Sequence, residues 1–261
     1  MADRKKKKVR YAVVGMGHIA QVAVLPAFAN AENAELTALV SGDAAKLKGL
    51  ARRHNVPKTY SYEKYDDCLK SGDVDAVYIA LPNDMHREYT VKAAAAGVHV
   101  LCEKPLAVTH QECADMIDAC EAGNVKLMTA YRLHFEEANL RAIEIVKSGE
   151  IGEVRVFSSL FAMQVKPGNV RLQREKGGGT LYDIGIYCIN AARYLFQDEP
   201  VEVETFTSNS GDPRFAEVEE TASVILRFPQ ERLAAFTCSF GAASIGTYTL
   251  LGTKGSLRLD P

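Results

Sequence analysis

A chain of 261 residues, 47% hydrophobic and 25% charged, has the composition of an ordinary globular protein able to build one large domain or two modest ones. Its formal net charge of −2 offers no general field for nucleic acid, and no stretch approaches the roughly 18 uninterrupted apolar residues of a membrane-spanning helix. The six cysteines (Cys68, Cys102, Cys113, Cys120, Cys188 and Cys238) form no C-x-x-C pair, so no metal set follows from them and buried thiols in a reducing cytosol are expected.

Taken from the N-terminus, the basic run from Arg4 to Lys8, followed by Arg10, reads as a solvated leader rather than a polyanion site. No apolar region lies between it and the first glycine turn, so it lacks the form of a secretory signal. A cytoplasmic location is expected, with the periplasm as the alternative if a signal has been removed. Val9–Val14 is an unbroken run rich in β-branched residues, and residues 36–40, 76–81, 98–102 and 126–130 repeat the theme. Continuous rather than alternating hydrophobicity means burial on both faces, as in a parallel sheet. Helical patterns separate the runs. Ala44–His54 follows Asp43 as N-cap, residues 85–96 follow Asp84 and stop at Gly97, and a third helix opens on the capping-box pair Thr109 and Glu112 and ends before Gly123. Such alternation predicts right-handed βαβ units and a doubly wound sheet.

Beyond a helix at about 135–148 the pattern changes. Strands are expected at 153–165, 201–207, 222–228, 233–240, 247–251 and 256–259, with only 181–196 helical. A run of strands without long intervening helices predicts a second, α+β domain built on a mostly antiparallel open sheet. We place the two domains at 1–133 and 134–261.

Gly15-Met16-Gly17-His18-Ile19-Ala20 is G-x-G-x-x-A placed directly after a strand and opening a helix. The first glycine permits a tight turn, the second lets backbone approach a pyrophosphate, and Ala20 lets helix and strand pack closely, as in the Rossmann dinucleotide fold. Helix N–H groups and the helix dipole then hold the anion. At the end of the second strand an NAD site normally carries Asp or Glu for the ribose hydroxyl. This chain has Ser41 there, and Lys46 one turn later is suited to a 2′-phosphate, so NADP is expected. Asp43 keeps NAD as the alternative, although its position suits the N-cap of the next helix better.

Cys102-Glu103-Lys104-Pro105 follows another apolar run, at the carboxyl end of a strand where an open α/β sheet binds its ligand. A lysine beside a nicotinamide can position a hydroxyl and share its proton while hydride leaves. Further on, glycines 177–179 suit close passage of backbone, and the helix after them carries Asp183 and Tyr187 at i and i+4, a carboxylate and a phenol on one face. Of the histidines, His86 and His134 are the ones expected near a ligand. His18 fills a variable position of the glycine loop, and His54, His99 and His110 read as surface or packing residues.

Four motifs in order resemble the glucose–fructose oxidoreductase/inositol dehydrogenase/rhizopine-catabolism (Gfo/Idh/MocA) family: the glycine loop, Leu81-Pro82-Asn83-Asp84-Met85-His86, Glu103-Lys104-Pro105, and residues 177–187. Tyr131-Arg132-Leu133-His134, residues 183–190 and Ser41-Gly42-Asp43-Ala44-Ala45-Lys46 are most similar to the glucose–fructose oxidoreductase branch. The resemblance implies a sugar or polyol oxidoreductase that acts on CH–OH groups with NADP. Lys104 and Tyr187 would handle the substrate proton, Tyr187 as acid/base, and Asp183 would orient the sugar hydroxyls beside Tyr131. Gly15, Met16, Gly17, His18 and Ile19 would hold the cofactor together with Ser41, Lys46 and Tyr60. Leu81, Pro82, Asn83 and His86 would line its crevice, joined by Glu103, Lys104, Arg132 and Arg171.

A small-molecule substrate, no nucleic acid, no membrane and no metal are expected, together with self-association through the C-terminal sheet. Family members usually run several tens of residues past the point where this sequence stops, which suggests a shortened version. Only about ten residues precede the first strand, which favours an exchangeable cofactor over a tightly retained one. The competing readings are a cofactor-binding regulator without catalysis and a nicotinamide-assisted glycosidase; a regulator has no need of Lys104, Asp183 and Tyr187 together.

Overall fold

The computed structural model of the chain describes residues 8–260, so most of the basic run, at 4–7, lies outside the described residues. Arg10, just after the run, is engaged within the fold. Its guanidinium clasps Asp75 at 2.9 and 2.6 Å, tying the starts of two neighbouring strands together. Two compact units divide the chain, Met1–Ala130 and Tyr131–Pro261. Among the described residues no helix is long and apolar enough to cross a membrane.

The first unit contains β1 (Val9–Val14), β2 (Ala34–Val40), β3 (Lys58–Tyr60), β4 (Ala76–Ile79), β5 (His99–Glu103) and β6 (Leu127–Ala130). All pair in parallel, in the order β3-β2-β1-β4-β5-β6, which is the doubly wound order of dinucleotide-binding domains. Strand residues feed two cores. Ala12, Val14, Ala38, Val40, Val77 and Ile79 point to one face, while Val13, Leu39 and Ala80 point to the other. The first face is covered by α3 (Tyr65–Leu69), α4 (His86–Ala95) and α5 (His110–Ala122), the second by α1 (Leu25–Ala27) and α2 (Ala44–His54). This two-sided burial explains why the strands read as continuous apolar runs.

Helix starts follow side-chain chemistry. The Asp43 carboxylate accepts from the Lys46 amide at 2.9 Å, and Thr109 and Glu112 make the reciprocal capping box. Asp84 does not act as a cap, contrary to expectation. A 3₁₀ turn, Asn83–Met85, closed by the Met85 amide on the Pro82 carbonyl at 3.0 Å, places Asp84 inside the turn and starts α4 at His86. The helix after the glycine loop is also irregular, a wide π-turn over Ala20–Val24 leading into α1.

The second unit opens with a 3₁₀ turn, Arg132–Phe135, and α6 (Glu137–Ser148), stopped by Gly149 at φ 73°. Its strands are β7 (Val154–Ala162), β8 (Glu202–Ser208), β9 (Thr221–Phe228), β10 (Arg232–Ser239), β11 (Ile245–Gly252) and β12 (Ser256–Leu259), with α7 (Ile186–Phe196) between β7 and β8. The order is β12-β11-β7-β10-β9-β8, antiparallel throughout except where β10 runs parallel to β7. One face, with Phe157, Val224, Leu226, Phe236 and Leu250, packs on Ala142 of α6 and on Cys188, Ala192 and Leu195 of α7. The opposite face leaves Leu160, Ile225, Leu233 and Leu251 exposed.

Candidate functional site

The candidate residues fall into two groups, one on each unit. In the first unit Gly15, at φ 95°, passes so close to the end of β4 that a Cβ would stand 2.4 Å from the Ala80 carbonyl oxygen. Gly17 meets nothing nearer than that same oxygen at 4.0 Å, so the missing side chain leaves open space in front of the loop. That is the space a pyrophosphate needs at the head of a helix. Met16 and Ala20 are buried beneath the turn, while His18 and Ile19 stand exposed at its mouth. Gln21, not singled out from the sequence, braces the loop from behind by donating its amide to the Met16 carbonyl at 2.8 Å.

At the end of β2, Ser41 is buried and its amide donates to the Tyr60 carbonyl at 3.1 Å. The Ser41 hydroxyl accepts from the Asp43 amide at 3.3 Å. Asp43 is committed to its cap, and the Lys46 amide holds its carboxyl below the usual carboxylate range. Its outer oxygen lies 3.6 Å from Lys46 Nζ, which places an exposed ammonium on the first turn of α2. Tyr62 is the residue sequence reading missed here. Its ring would touch any Cβ on Gly42 at 3.2 Å, and its phenol, raised by burial, is drawn back by Ser41 and Gly42. Only the fold of the segment after β3 reveals this, because nothing in the local pattern separates Tyr62 from Tyr60.

The loops after β4 and β5 carry Leu81, Pro82 and Asn83, and Glu103, Lys104 and Pro105. Glu103 is turned back, accepting from the Tyr78 hydroxyl at 2.7 Å and from the Lys104 amide at 3.3 Å. The Lys104–Pro105 peptide is cis. His86 departs from expectation. Instead of lining an open crevice it is 0% exposed, with Nε2 2.9 Å from the Leu81 carbonyl and Nδ1 3.0 Å from that of Pro105. Burial lowers its basicity.

In the second unit, Tyr131 donates its hydroxyl to the Ile186 carbonyl and meets Tyr187 edge-on at 5.4 Å between ring centroids. Burial pushes the Tyr131 phenol well up. Phe161 flanks Tyr187 at the same distance. Arg132 pairs with Glu136 at 2.7 Å on an exposed turn. Arg171 reaches Asp183, its Nε 2.6 Å from the carboxylate, which is 11% exposed at the side chain. The glycine run explains how. A Cβ on Gly178 would lie 2.5 Å from the Arg171 carbonyl oxygen, and the amides of Gly178 and Gly179 donate to Gln173 and Arg171 at 3.0 and 2.9 Å. Glu219, also missed from the sequence, accepts from the Thr180 hydroxyl and the Leu181 amide at 2.9 and 3.1 Å, capping the turn that follows.

That turn, Leu181–Gly185, is a π-turn, so Asp183 sits in a widened coil and Tyr187 in the α-helix after it. The simple i,i+4 face expected from the sequence is therefore locally rewound, a device common at functional sites. Tyr187 also lines a cavity of about 500 Å³ walled by Tyr131, His134, Phe161, Met163 and Tyr194. His134 stacks on Tyr194 at 3.9 Å, which accounts for its place in this wall. Among the described residues no group of three or more His, Cys, Asp or Glu side chains is placed to hold a metal.

Comparison with known proteins bears on both groups. A model of the Gfo/Idh/MocA oxidoreductase family, with an NAD-binding Rossmann fold, matches residues 9–131, and one of the Gfo/Idh/MocA C-terminal domain matches 139–258. The crystal structure of an aldose–aldose oxidoreductase from Caulobacter crescentus, complexed with glycerol, is similar with a TM-score of 0.95 and 41% identity, over 98% of this chain and 77% of that one. D-xylose 1-dehydrogenase (NADP(+)) of Haloarcula marismortui is 34% identical over 97% of this chain and 72% of its own. A 3-ketoreductase from Actinomadura kijaniata, solved with NADP and TDP-benzene, has a TM-score of 0.85 at 29% identity, over 97% of this chain and 77% of that one.

Proposed function

Because the chain belongs to the Gfo/Idh/MocA oxidoreductase family, we propose that it is an NADP-dependent enzyme transferring hydride between nicotinamide and a carbinol carbon of a sugar or polyol. The observation that carries the reading is the fixed carboxylate of Asp183, bonded to Arg171 at 2.6 Å and one turn ahead of Tyr187. A chain that only sensed a nucleotide would have no use for it. Sugar oxidoreductases among the relatives support the substrate class.

In this reading the dinucleotide-binding domain, residues 1–133, binds the cofactor. Gly15 and Gly17 let main chain approach its pyrophosphate, with Met16, His18 and Ile19 around them, and Ser41, Lys46 and Tyr60 receive the 2′-phosphate. Preference for NADP over NAD rests on a buried serine where an acid would otherwise stand, and on an Asp43 already engaged as a cap. The nicotinamide, when bound, supplies the hydride chemistry. Lys104 and Tyr187 handle the substrate proton, Tyr187 as acid/base, and Asp183 orients the substrate hydroxyls with Tyr131 and assists Lys104. Pro82, Asn83, Glu103, Arg132 and Arg171 complete the cofactor's surroundings.

Lys104→Ala and Tyr187→Phe should retain NADP binding while turnover falls by roughly 10²–10⁴. Fluorescence titration with NADPH and initial rates on a panel of aldoses and polyols measure the two separately. Full turnover in either variant removes that residue from the relay. We also assign self-association to the open face of the second unit's sheet, where Leu160, Ile225 and Leu233 are exposed, and a reducing cytoplasm to a chain whose six cysteines are all free.

A further inference from the structure

His86 stands on the first turn of α4, and its whole side chain is closed off from solvent. A histidine used only as filler would pack its ring on apolar groups. This one places every polar atom against main-chain oxygen: Nε2 on Leu81 at 2.9 Å, and Nδ1 on Pro105 at 3.0 Å and Leu106 at 3.2 Å. A neutral ring donates to the carbonyl of one of these loops and turns its lone pair toward that of the other, while a protonated ring donates to both.

The location of those oxygens gives the contact its meaning. The ladder between β4 and β5 runs out with Ile79 opposite Cys102. Past that point the two strands continue as loops, one through Leu81 to Asn83 and the other through Lys104 to Leu106, with no further rung of that ladder between them. The imidazole spans the gap the ladder leaves. It reaches the first loop two residues before Asn83, and the second at the residue after Lys104.

We propose that His86 is a positioning residue, a side chain that fixes the Lys104 loop against the 81–83 loop without touching cofactor or substrate. For its catalytic meaning this rests on the proposed function. Geometry at a reacting centre is unforgiving, since a shift of about 1 Å can cost roughly 10²-fold in rate. Losing the ring loosens both loops at once, whereas losing an ordinary packing residue loosens the unit as a whole.

Backbone amide exchange followed by mass spectrometry tests this directly on the full chain. His86→Phe is expected to speed exchange at 81–85 and 104–108 together while the rest of the first unit exchanges as wild type. His86→Gln, which can still donate from the Nε2 position, should restore part of that protection. With a turned-over substrate, kcat of His86→Phe should fall about tenfold or more per NADPH-binding site, and His86→Gln should lie between. Exchange that rises uniformly across the unit, or rises in only one loop, overturns the proposal, as does an unchanged kcat. If His86→Phe does not fold, His86→Gln and His86→Asn carry the same exchange test. If the wild-type chain turns over no sugar or polyol, the proposed function fails while the paired exchange still decides the role of His86.

Discussion

Arg171 and Asp183 show how a single contact alters the reading of a residue. The carboxylate is nearly enclosed, and an ionised group in that position needs a cation and hydrogen-bond donors. Arg171 supplies both, and its own backbone is pinned by Gly179. Removing it takes the guanidinium away from a nearly enclosed carboxylate. Because the guanidinium is itself 41% exposed, Arg171→Met should cost only about 1–2 kcal/mol, read as a lower Tm, and should depress turnover more than NADP affinity. At the other end of the candidate set, Ser41→Asp should shift preference from NADP toward NAD, and Lys46→Ala should weaken NADP roughly tenfold with little effect on NAD. Competitive titration with both nucleotides measures this. The thiols offer a separate check. Burial pushes Cys68 and Cys188 to about 12 and Cys238 to about 11, so these stay protonated, and unreactive, far above neutral pH. Alkylation of the native chain at about pH 8 should therefore label the half-buried Cys113 and spare the other five.

Elements differ in how much of them can be read from residues alone. β1 and β2 are legible because burial on both faces leaves an unbroken apolar run, and α5 because its capping box lies within four consecutive residues. β3 is not. Lys58 and Thr59 are exposed at the sheet's edge, so no hydrophobic signal marks the strand, and it is the neighbouring backbone of Ala38, Leu39 and Val40 that defines it. Asp84 failed as a cap because Pro82 begins a 3₁₀ turn whose closure depends on backbone geometry. The π-turn at Leu181–Gly185 is invisible for a related reason, since side-chain periodicity does not record which carbonyl an amide chooses. The site shows the same division. The glycine loop and the Glu103-Lys104-Pro105 motif stand out locally, whereas the burial of His86 is set by a loop some twenty residues away, and Tyr62, Gln21 and Glu219 matter only through partners that folding brings to them. Gly15 provides the sharpest test at this scale. A methyl group there would meet the Ala80 carbonyl and force an unfavourable φ, so Gly15→Ala should destabilise the chain by about 1–3 kcal/mol in chemical denaturation. Gly17→Val, facing open space, should leave stability nearly unchanged and abolish nucleotide binding.

On the scale of the whole molecule, two units of different construction each carry part of the proposed chemistry: a parallel sheet buried on both sides, and a mixed sheet with one bare face. On the bare face lie Leu160, Ile225 and Leu233, and the edge strand β8 adds Phe206 at 78% exposure. The proposed self-association would cover these exposed side chains with a second copy of the chain, related by symmetry. Charged substitutions there, Leu160→Glu with Ile225→Glu, should yield a monomer by light scattering without unfolding the sheet, because the altered positions face away from the core. In the proposed function this family member performs net hydride transfer on a carbinol carbon with NADP. The most direct test of that function is absorbance at the reduced-nicotinamide band when wild-type protein is mixed with NADP or NAD and each of a panel of aldoses, polyols and dihydrodiols. A steady rise with at least one of them, faster with NADP than with NAD and lost in Tyr187→Phe, is the expected result. No change with any substrate in either direction, from a protein shown to bind NADPH, would contradict it.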